Sequence, residues 1–238
     1  MQIINIQISN ILIFKQYMKN REAIIFDMDG VLIDSEPIHY EIEKIIFNLL
    51  GITVPDELHR NYMGASNDFM YADLKLKFGL SAPLAKLIEF DDQFRSKYLR
   101  ELDRVDLNEG VLSLLKELKA TGLKLAVATS SSPEVVSVLL SRCMIATYFD
   151  AIVTTTEAGK SKPAPEVYLL AAQKIDVDPS KCIVFEDSPN GLLAAKRAGM
   201  YCVVIQNDNR MDDQLQIADH RIRSFSEMKI DQFASIFP

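Results

Sequence analysis

The sequence AIIFDMDGV, at residues 23–31, joins a short apolar run to two carboxylates and a glycine. The run Ala23–Asp27 has the continuous apolar character of a strand buried on both faces, as in parallel sheets. Asp27 and Asp29 stand two residues apart at its end, so both carboxylates can approach one site, and Gly30 permits a sharp turn. The stretch therefore predicts a buried strand that ends in a pair of acids.

Further apolar runs alternate with helical patterns along the rest of the chain. These strand candidates are Leu123–Thr129, Ala151–Thr155, Cys182–Asp187 and Cys202–Gln206. Alternating strands and helices are the signature of successive βα units and a parallel sheet. We expect an α/β fold whose core is a Rossmann-like, doubly wound parallel sheet.

The helices between these strands have recognisable end signals. Gly122 is placed to end the helix before the second strand in a left-handed cap. Ser132-Pro133 and Ser188-Pro189 each put a candidate N-cap hydroxyl before a proline at the first helical position. Both pairs predict a tight turn from strand to helix.

The stretch from Ile38 to Leu102 has helical apolar periods, breaks at Gly51, Gly64 and Gly79, and no strand pattern. It leaves the first strand and returns before the second, which predicts an inserted α-helical cap domain over the strand ends. The predicted domains are an N-terminal extension at 1–21, the α/β core at 22–35 and 104–238, and the cap at 36–103.

Composition narrows the class of protein. The 238 residues are 48% apolar and have a formal net charge of -7. Such a chain can bury a core, and its charge disfavours a nucleic-acid partner because that affinity rests on clustered Lys and Arg. Cys143, Cys182 and Cys202 are widely spaced among apolar residues, unlike a disulfide framework or a zinc site. We expect a cytoplasmic protein with no membrane partner.

The segment Met1–Tyr17 is apolar but interrupted by Asn and Gln, so it is too broken to span a bilayer. It has no basic residue before Lys15, as a secretory signal would require. Three interpretations stay open: an extension, a mis-assigned start before Met18, or an added edge strand.

Acidic side chains collect where the predicted strands end. Ligands of a doubly wound sheet bind outside the carboxyl ends of the strands, near the reversal of strand order. Asp27, Asp29, Glu186 and Asp187 would meet there, and so many carboxylates are hard to stabilise without a cation. Oxygen ligands favour Mg²⁺ over zinc. Each acidic pair alone could equally be a turn or a helix cap, but their convergence favours a metal site.

Phosphate-binding groups are predicted at the same edge. Thr129, Ser130 and Ser131 offer hydroxyl and backbone N–H groups at the start of a helix, although simple N-capping would also explain them. Lys162 lies in KSKPAP, residues 160–165, between prolines and just before a helix. Its ammonium could balance phosphate and carboxylate charge, although a solvated loop lysine is the default interpretation.

Four motifs, taken in order, resemble the haloacid dehalogenase superfamily of phosphohydrolases. They are FDMDGV at 26–31, the hydrophobic strand into Thr129, KPAP at 162–165 and FEDS at 185–188. The resemblance covers the chain from about Ala23 to about Asn207. It includes a cap inserted after the first motif, as in the subfamily of phosphoglycolate phosphatases, sugar-phosphate phosphatases and β-phosphoglucomutases.

The resemblance implies that Asp27 attacks phosphorus to form an aspartyl-phosphate. Asp29 would protonate the leaving oxygen and then activate water. Thr129, Ser130 and Lys162 would bind the phosphoryl oxygens. An aspartate at position 29 argues against dehalogenation, because dehalogenases of this superfamily lack that second carboxylate.

The resemblance also implies a set of magnesium ligands. Mg²⁺ would be held by Asp27, the backbone carbonyl of Asp29, Asp187 and, directly or through water, Glu186.

The resemblance leaves the choice between phosphatase and mutase open. His39 falls where β-phosphoglucomutases have a histidine that couples substrate binding to acid/base action, although plain phosphatases have such histidines too. Those mutases have an arginine in the cap motif Gly-x-Ser-Arg, whereas Asn67 follows Gly64-Ala65-Ser66 here. No second cationic cap residue is evident near Gln93. We therefore expect a phosphatase of small phosphorylated metabolites, with a phosphohexomutase as the alternative.

Pyrophosphatase activity and a non-catalytic binding protein on the same fold are smaller alternatives. Substrate identity is expected to depend on the cap, on the segment Met63–Tyr71 and on residues near Phe94 and Tyr98. A monomer is the simplest expectation.

Overall fold

The strand β1 (Ala23–Phe26) lies inside a six-stranded parallel sheet in the computed structural model, which describes residues 20–62, 66–206 and 215–228. The other strands are β2 (Lys124–Thr129), β3 (Ala151–Thr154), β4 (Cys182–Glu186), β5 (Tyr201–Ile205) and β6 (His220–Ile222). Their order is β3-β2-β1-β4-β5-β6, so strand order reverses between β1 and β4. This is the doubly wound order of Rossmann-like sheets, and the predicted fold class is confirmed.

The helices follow the strands in alternation, apart from one insertion. The helices after β1 are α1 (Glu36–Leu49), α2 (Asp56–Arg60), α3 (Asn67–Phe78), α4 (Leu84–Glu101) and α5 (Val111–Thr121). The remaining helices are α6 (Pro133–Arg142), α7 (Thr155–Ala158), α8 (Glu166–Lys174) and α9 (Pro189–Arg197), and 3₁₀ turns lie at Ala146–Tyr148, Pro179–Lys181 and Phe225–Glu227. The four helices α1–α4 form the helical insertion between β1 and α5.

The two faces of the sheet are buried by different helices. Ile24 and Phe26 point into a core shared with α5, α6 and the helical insertion. Ala23 and Ile25 point into a second core shared with α8 and α9. Successive side chains of a strand face opposite sides, so a strand covered on both faces must be apolar at every position. That requirement explains the unbroken apolar run before Asp27.

The five strand predictions are confirmed to within one residue at each end. The sequence pattern missed β6, a strand of only three residues. Gly122 ends α5 with φ of 81°, as its position predicted.

The two predicted N-caps differ. Ser188 Oγ accepts a hydrogen bond from the N–H of Gly191, as predicted. Ser132 has the extended backbone of an N-cap residue, but its hydroxyl accepts no bond from α6, so that prediction was wrong. A side-chain cap depends on the χ1 rotamer as well as on residue type, and sequence position does not fix the rotamer.

The helical insertion reaches the core through α4, which packs against α6. Helices without strands between Ile38 and Leu102 confirm the helical pattern in the part of that stretch that the structure describes. The domain boundaries at 21, 36 and 103 stay predictions. Met1–Tyr17 and the Gly64-Ala65 pair lie outside the described residues. No helix in the described ranges is long and apolar enough to cross a bilayer.

Candidate active site

A cavity of about 430 Å³ opens at the carboxyl ends of the strands, beneath the helical insertion. Its volume is in the range of small-molecule sites. The predicted site residues that line it are Asp27, Asp29, His39, Asn67, Thr129, Ser130, Ser131, Lys162 and Asp187. Glu186 lies next to this cavity as a fully buried side chain. The sheet thus brings together residues that are far apart in the sequence.

Asp27 lies directly after β1 and is 6% exposed. Its backbone N–H donates to the carbonyl of Phe185 on β4 over 2.9 Å, which fixes the strand end. Lys162 Nζ lies 2.5 Å from its Oδ1 atom. Burial raises the pKa of Asp27 to about 7, and the charges of Glu186 and Asp29 add to the rise while Lys162 opposes it. The ionised form of Asp27 is therefore less stable in this buried site than it would be in water.

Lys162 contacts the ends of three strands. Its Nζ donates to Asp27 Oδ1, to Glu186 Oε1 over 2.6 Å and to the carbonyl of Ala128 over 3.2 Å. Burial on its own would lower the pKa of Lys162, but Asp27 and Glu186 raise it above the ordinary lysine value. Lys162 is thus a buried, charged ammonium rather than the solvated loop lysine of the default interpretation.

Glu186 joins β4 to the start of α9. Its Oε1 accepts from Lys162 and from Tyr168 Oη, the latter over 2.6 Å, and its Oε2 accepts the N–H and the hydroxyl of Ser188. A Cβ atom on Gly191 would lie 1.7 Å from Oε1, so only glycine fits there. Burial opposes ionisation of Glu186, but Lys162, Tyr168 and Ser188 lower its pKa below the ordinary value.

Three carboxylates could hold a metal ion. Asp27, Glu186 and Asp187 each offer an oxygen within 4.8 Å of the other two. Burial, with the charges of Glu186 and Asp27, raises the pKa of Asp187 well above the ordinary value. A Cβ atom on Gly30 would lie 2.0 Å from Asp187 Oδ2, so glycine leaves room for this carboxylate. Three crowded carboxylates repel one another when ionised, and a hard divalent cation bound between their oxygens would offset that repulsion.

Asp29 is not one of this group of three, and its side chain has its own hydrogen-bond partners. Its Oδ1 accepts Ser35 Oγ at 2.7 Å and contacts His39 Nε2 at 2.8 Å. Its Oδ2 accepts Ser131 Oγ at 2.6 Å and Thr129 Oγ1 at 3.5 Å. Burial opposes ionisation, but His39, Ser131 and Ser35 lower the pKa of Asp29 below its ordinary range. The predicted metal contact through its backbone carbonyl stays a prediction.

Arg95 is one of the site residues that the sequence analysis missed. No cation was expected near Gln93, and this expectation was wrong, because Arg95 on α4 lines the cavity and is 5% exposed. Its Nη1 lies 2.6 Å from His39 Nδ1, and its Nε and Nη2 donate to Asp91 over 3.0 and 3.1 Å. The four-residue spacing of Asp91 and Arg95 on one helix face was the available signal.

Two further residues escaped prediction. Ser35 donates to Asp29, and Tyr168 donates to Glu186. Ser35 stands only six residues beyond Asp29, so its place next to the motif was a weak signal. Tyr168 looked like an ordinary core residue of α8.

The helical insertion contributes only some of the residues that were expected to face the cavity. Asn67 lines the cavity, and its Nδ2 donates to Asp91 Oδ1 over 3.0 Å. Phe94 and Tyr98 do not line the cavity, because α4 turns Ile88, Asp92 and Arg95 toward it instead. Helical periodicity places 88, 92 and 95 on one face and 94 and 98 on another.

Ser130 lines the cavity as an exposed residue at the end of β2. Of the segment Met63–Tyr71, residues 63–65 lie outside the described ranges. Tyr71 Oη donates to Asp91 Oδ2 over 2.9 Å.

Comparison with known proteins gives several relatives of nearly full length. The chain is 33% identical over 210 residues to the putative phosphatase YhcW of Bacillus subtilis. The matched residues make up 88% of this chain and 94% of YhcW. It is 36% identical over 183 residues to a phosphorylated carbohydrates phosphatase of Thermotoga maritima, covering 75% of this chain and 82% of the relative.

A solved structure of CbbY from Rhodobacter sphaeroides, a mutant in complex with xylulose-(1,5)bisphosphate, superposes with a TM-score of 0.77 at 29% identity. The match covers 87% of this chain and 96% of CbbY. The family model described as haloacid dehalogenase-like hydrolase matches residues 24–205, which include all four motifs. The chain therefore belongs to the haloacid dehalogenase-like hydrolases.

Proposed function

We propose that the protein is a Mg²⁺-dependent phosphatase of small phosphorylated metabolites that works through an aspartyl-phosphate on Asp27. The observation that carries this proposal is the position of Asp27 in the cavity. Its carboxylate contacts Lys162 and belongs to the same group of acids as Asp187, while Asp29, two residues further on, has a separate set of hydrogen-bond partners. The names of the relatives support a phosphorylated carbohydrate as the substrate class.

In the first step, an oxygen of Asp27 forms a bond to phosphorus and the bond to the leaving oxygen breaks. We assign the attack to Oδ2, because Lys162 holds Oδ1 at 2.5 Å. The leaving oxygen takes a proton from the carboxyl group of Asp29. Covalent catalysis by a carboxylate splits the transfer into two easier steps, and a positioned acid typically contributes ~10²–10⁴-fold.

In the second step, Asp29 is the base. It removes a proton from water, the water oxygen bonds to phosphorus, and the bond between phosphorus and Asp27 breaks. Ser35 and Ser131 each donate a hydrogen bond to the Asp29 carboxylate, and we assign them to holding it near the leaving group. The same hydrogen bonds favour its ionised form, which is the form that a base needs.

Phosphoryl oxygens are received by Lys162 and by the segment before α6. Ser130 is exposed and lines the cavity, and we assign its hydroxyl and backbone N–H to the phosphoryl oxygens, as in phosphate sites at the start of a helix. The hydroxyls of Thr129 and Ser131 contact Asp29, so we assign them to orienting this acid as well. Such groups act mainly by electrostatic positioning.

Asp27 and Asp187 would hold Mg²⁺, with Glu186 behind them. Glu186 accepts hydrogen bonds at both oxygens, so we expect it to act through water or by orienting its neighbours. When bound, the cation would neutralise charge on the phosphoryl group as it is transferred.

The decisive experiment measures phosphate release with Mg²⁺ across hexose, pentose and glycolate phosphates and pyrophosphate. Asp27→Asn should abolish release, whereas Asp34→Asn, an exposed acid just beyond the motif, should leave it intact. Radiolabelled phosphate should be trapped on the wild-type protein and released by hydroxylamine. If Asp27→Asn hydrolysed the same substrates at the wild-type rate, the proposal would be wrong.

A phosphohexomutase is the second candidate. The contact between His39 Nε2 and Asp29 Oδ1 at 2.8 Å favours it, because it could couple substrate binding to acid/base action. Conversion of β-glucose 1-phosphate to glucose 6-phosphate, primed by a trace of bisphosphate and without net phosphate release, would support the mutase. Against it, Asn67 stands where the mutase motif has arginine, and it already contacts Asp91.

A further inference from the structure

We propose that the leaving-group side of the cavity selects phosphate monoesters whose alcohol has no second negative charge, namely polyhydroxylated or amino-bearing alcohols. This inference rests on the proposed phosphatase function and concerns its substrate class. It starts from the charges that the helical insertion presents to the cavity.

The wall contributed by α1, α3 and α4 is acidic. Glu36, Glu43, Asp68 and Asp92 line the cavity, and Asp91 is fully buried next to Arg95. Arg95 is the only Lys or Arg on the described part of this wall. A single guanidinium thus stands among five carboxylates of the described residues.

Arg95 is not available to grip an anion. Two of its nitrogens donate to Asp91, Nη2 also donates to Glu43 over 3.4 Å, and Nη1 contacts His39. Asp91 is fully buried, so moving the guanidinium to a ligand would leave an unpaired charge in the interior. Arg95 is therefore an internal counter-ion of the insertion.

The lysines that line the cavity both lie on the core side. Lys162 contacts Asp27 and is used by the transferred phosphoryl group. Lys160 is largely exposed and pairs with Glu166 Oε1 at 2.5 Å, beside the start of α8. A charged group at the far end of the substrate's alcohol, if it reaches the helical insertion, would therefore contact neither Lys160 nor Lys162.

The acidic wall should make the affinity for a substrate depend on the charge of its alcohol, even between substrates of equal size. A second phosphate or a carboxylate on the alcohol would enter the field of Glu43 and Asp92, and like charges near a protein surface repel noticeably at short range. A hydroxyl or ammonium group would instead find carboxylate acceptors. Repulsion by exposed charges weakens with salt, so the selectivity should shrink as ionic strength rises.

The test compares matched pairs that differ only in this group. One pair is glucitol 6-phosphate and 6-phosphogluconate, and the other is 2-hydroxyethyl phosphate and phosphoglycolate. Binding is measured calorimetrically with Mg²⁺ on Asp27→Asn, which should bind without turnover, and kcat/KM is measured on the wild type. We expect the neutral member to be preferred by about tenfold at low salt.

Asp92→Asn removes one charge from the wall without changing its shape, so the preference should fall about threefold. Glu89→Gln makes the same change on an exposed part of α4 away from the cavity and should not alter the preference. Equal affinity for both members, tighter binding of the anionic member, or no binding of either would overturn the inference. Failure of the proposed function would show separately, as wild-type protein that releases no phosphate from any ester.

Discussion

Arg95 Nη1 lies 2.6 Å from Nδ1 of His39, and Nε2 of the same ring lies 2.8 Å from Asp29 Oδ1. A guanidinium has only donors, so Nδ1 must be the accepting nitrogen. The proton of the neutral ring then lies on Nε2 and points at Asp29. One chain of hydrogen bonds therefore runs from α4 of the insertion to the candidate acid/base on the core.

The first prediction concerns this tautomer. Arg95→Lys retains a positive charge beside Asp91, but one ammonium cannot contact both Asp91 and His39 as the planar fork does. We expect the variant to fold, its His39 ring to populate both tautomers, and kcat to fall about tenfold. Long-range ¹H–¹⁵N NMR of the ring nitrogens reports the tautomer. Arg100→Lys, on the exposed end of α4, is the matched control. An unchanged Nε2–H tautomer in Arg95→Lys would contradict the assignment.

The second prediction concerns pH. His39 is the first partner that lowers the pKa of Asp29 against the opposing effect of burial. Without it, Asp29 takes up a proton at a higher pH, so the ionised base is lost earlier as the solution is acidified. In His39→Ala, the acid limb of kcat should therefore move to higher pH. His220→Ala, on β6, serves as control. An acid limb that stays in place would show that His39 does not set the protonation of Asp29.

The sequence predicted the sheet well because its signals are local. A strand covered on both faces must be apolar at every buried position, and residues 23–26, 125–128 and 182–185 meet that rule. The convergence of their carboxyl ends then follows from parallel βα topology alone. The residue types at those ends were therefore enough to predict the group of acids.

The insertion was harder to predict, because its contacts depend on packing between helices. Arg95 could have faced solvent, as most arginines do. Its burial depends on Asp91, Glu43 and Tyr71, which come from three different helices. Sequence alone specifies that these segments are helical, whereas the rotation of α4 against its neighbours decides whether 94 and 98 or 88, 92 and 95 face the cavity.

The third prediction concerns stability in the absence of divalent cations. Burial raises the pKa of Asp27 from 3.8 to about 7, so the folded state holds its proton more tightly than the unfolded state does. The contribution of Asp27 to the free energy of unfolding therefore falls as pH rises from 3.8 to about 7. Asp27→Asn should raise the free energy of unfolding by roughly 1–3 kcal/mol at about pH 8 and by little near pH 4. Urea unfolding at both pH values measures this. Equal or lower stability of the variant at about pH 8 would argue against a strained carboxylate.

The fourth prediction concerns the candidate metal site and uses two glycines. A Cβ atom on Gly30 would lie 2.0 Å from Asp187 Oδ2, whereas a Cβ atom on Gly51 would meet nothing within 4 Å. Both have positive φ, 74° and 71°, so alanine strains the backbone equally at the two positions. Gly30→Ala must displace Asp187 and should weaken Mg²⁺ binding about 10–100-fold, while Gly51→Ala should lose only stability. Titration calorimetry with Mg²⁺ at neutral pH measures the affinity of each variant without relying on turnover. If the two variants bound Mg²⁺ equally well, Asp187 would not be a ligand, and the cation would have to lie elsewhere in the cavity.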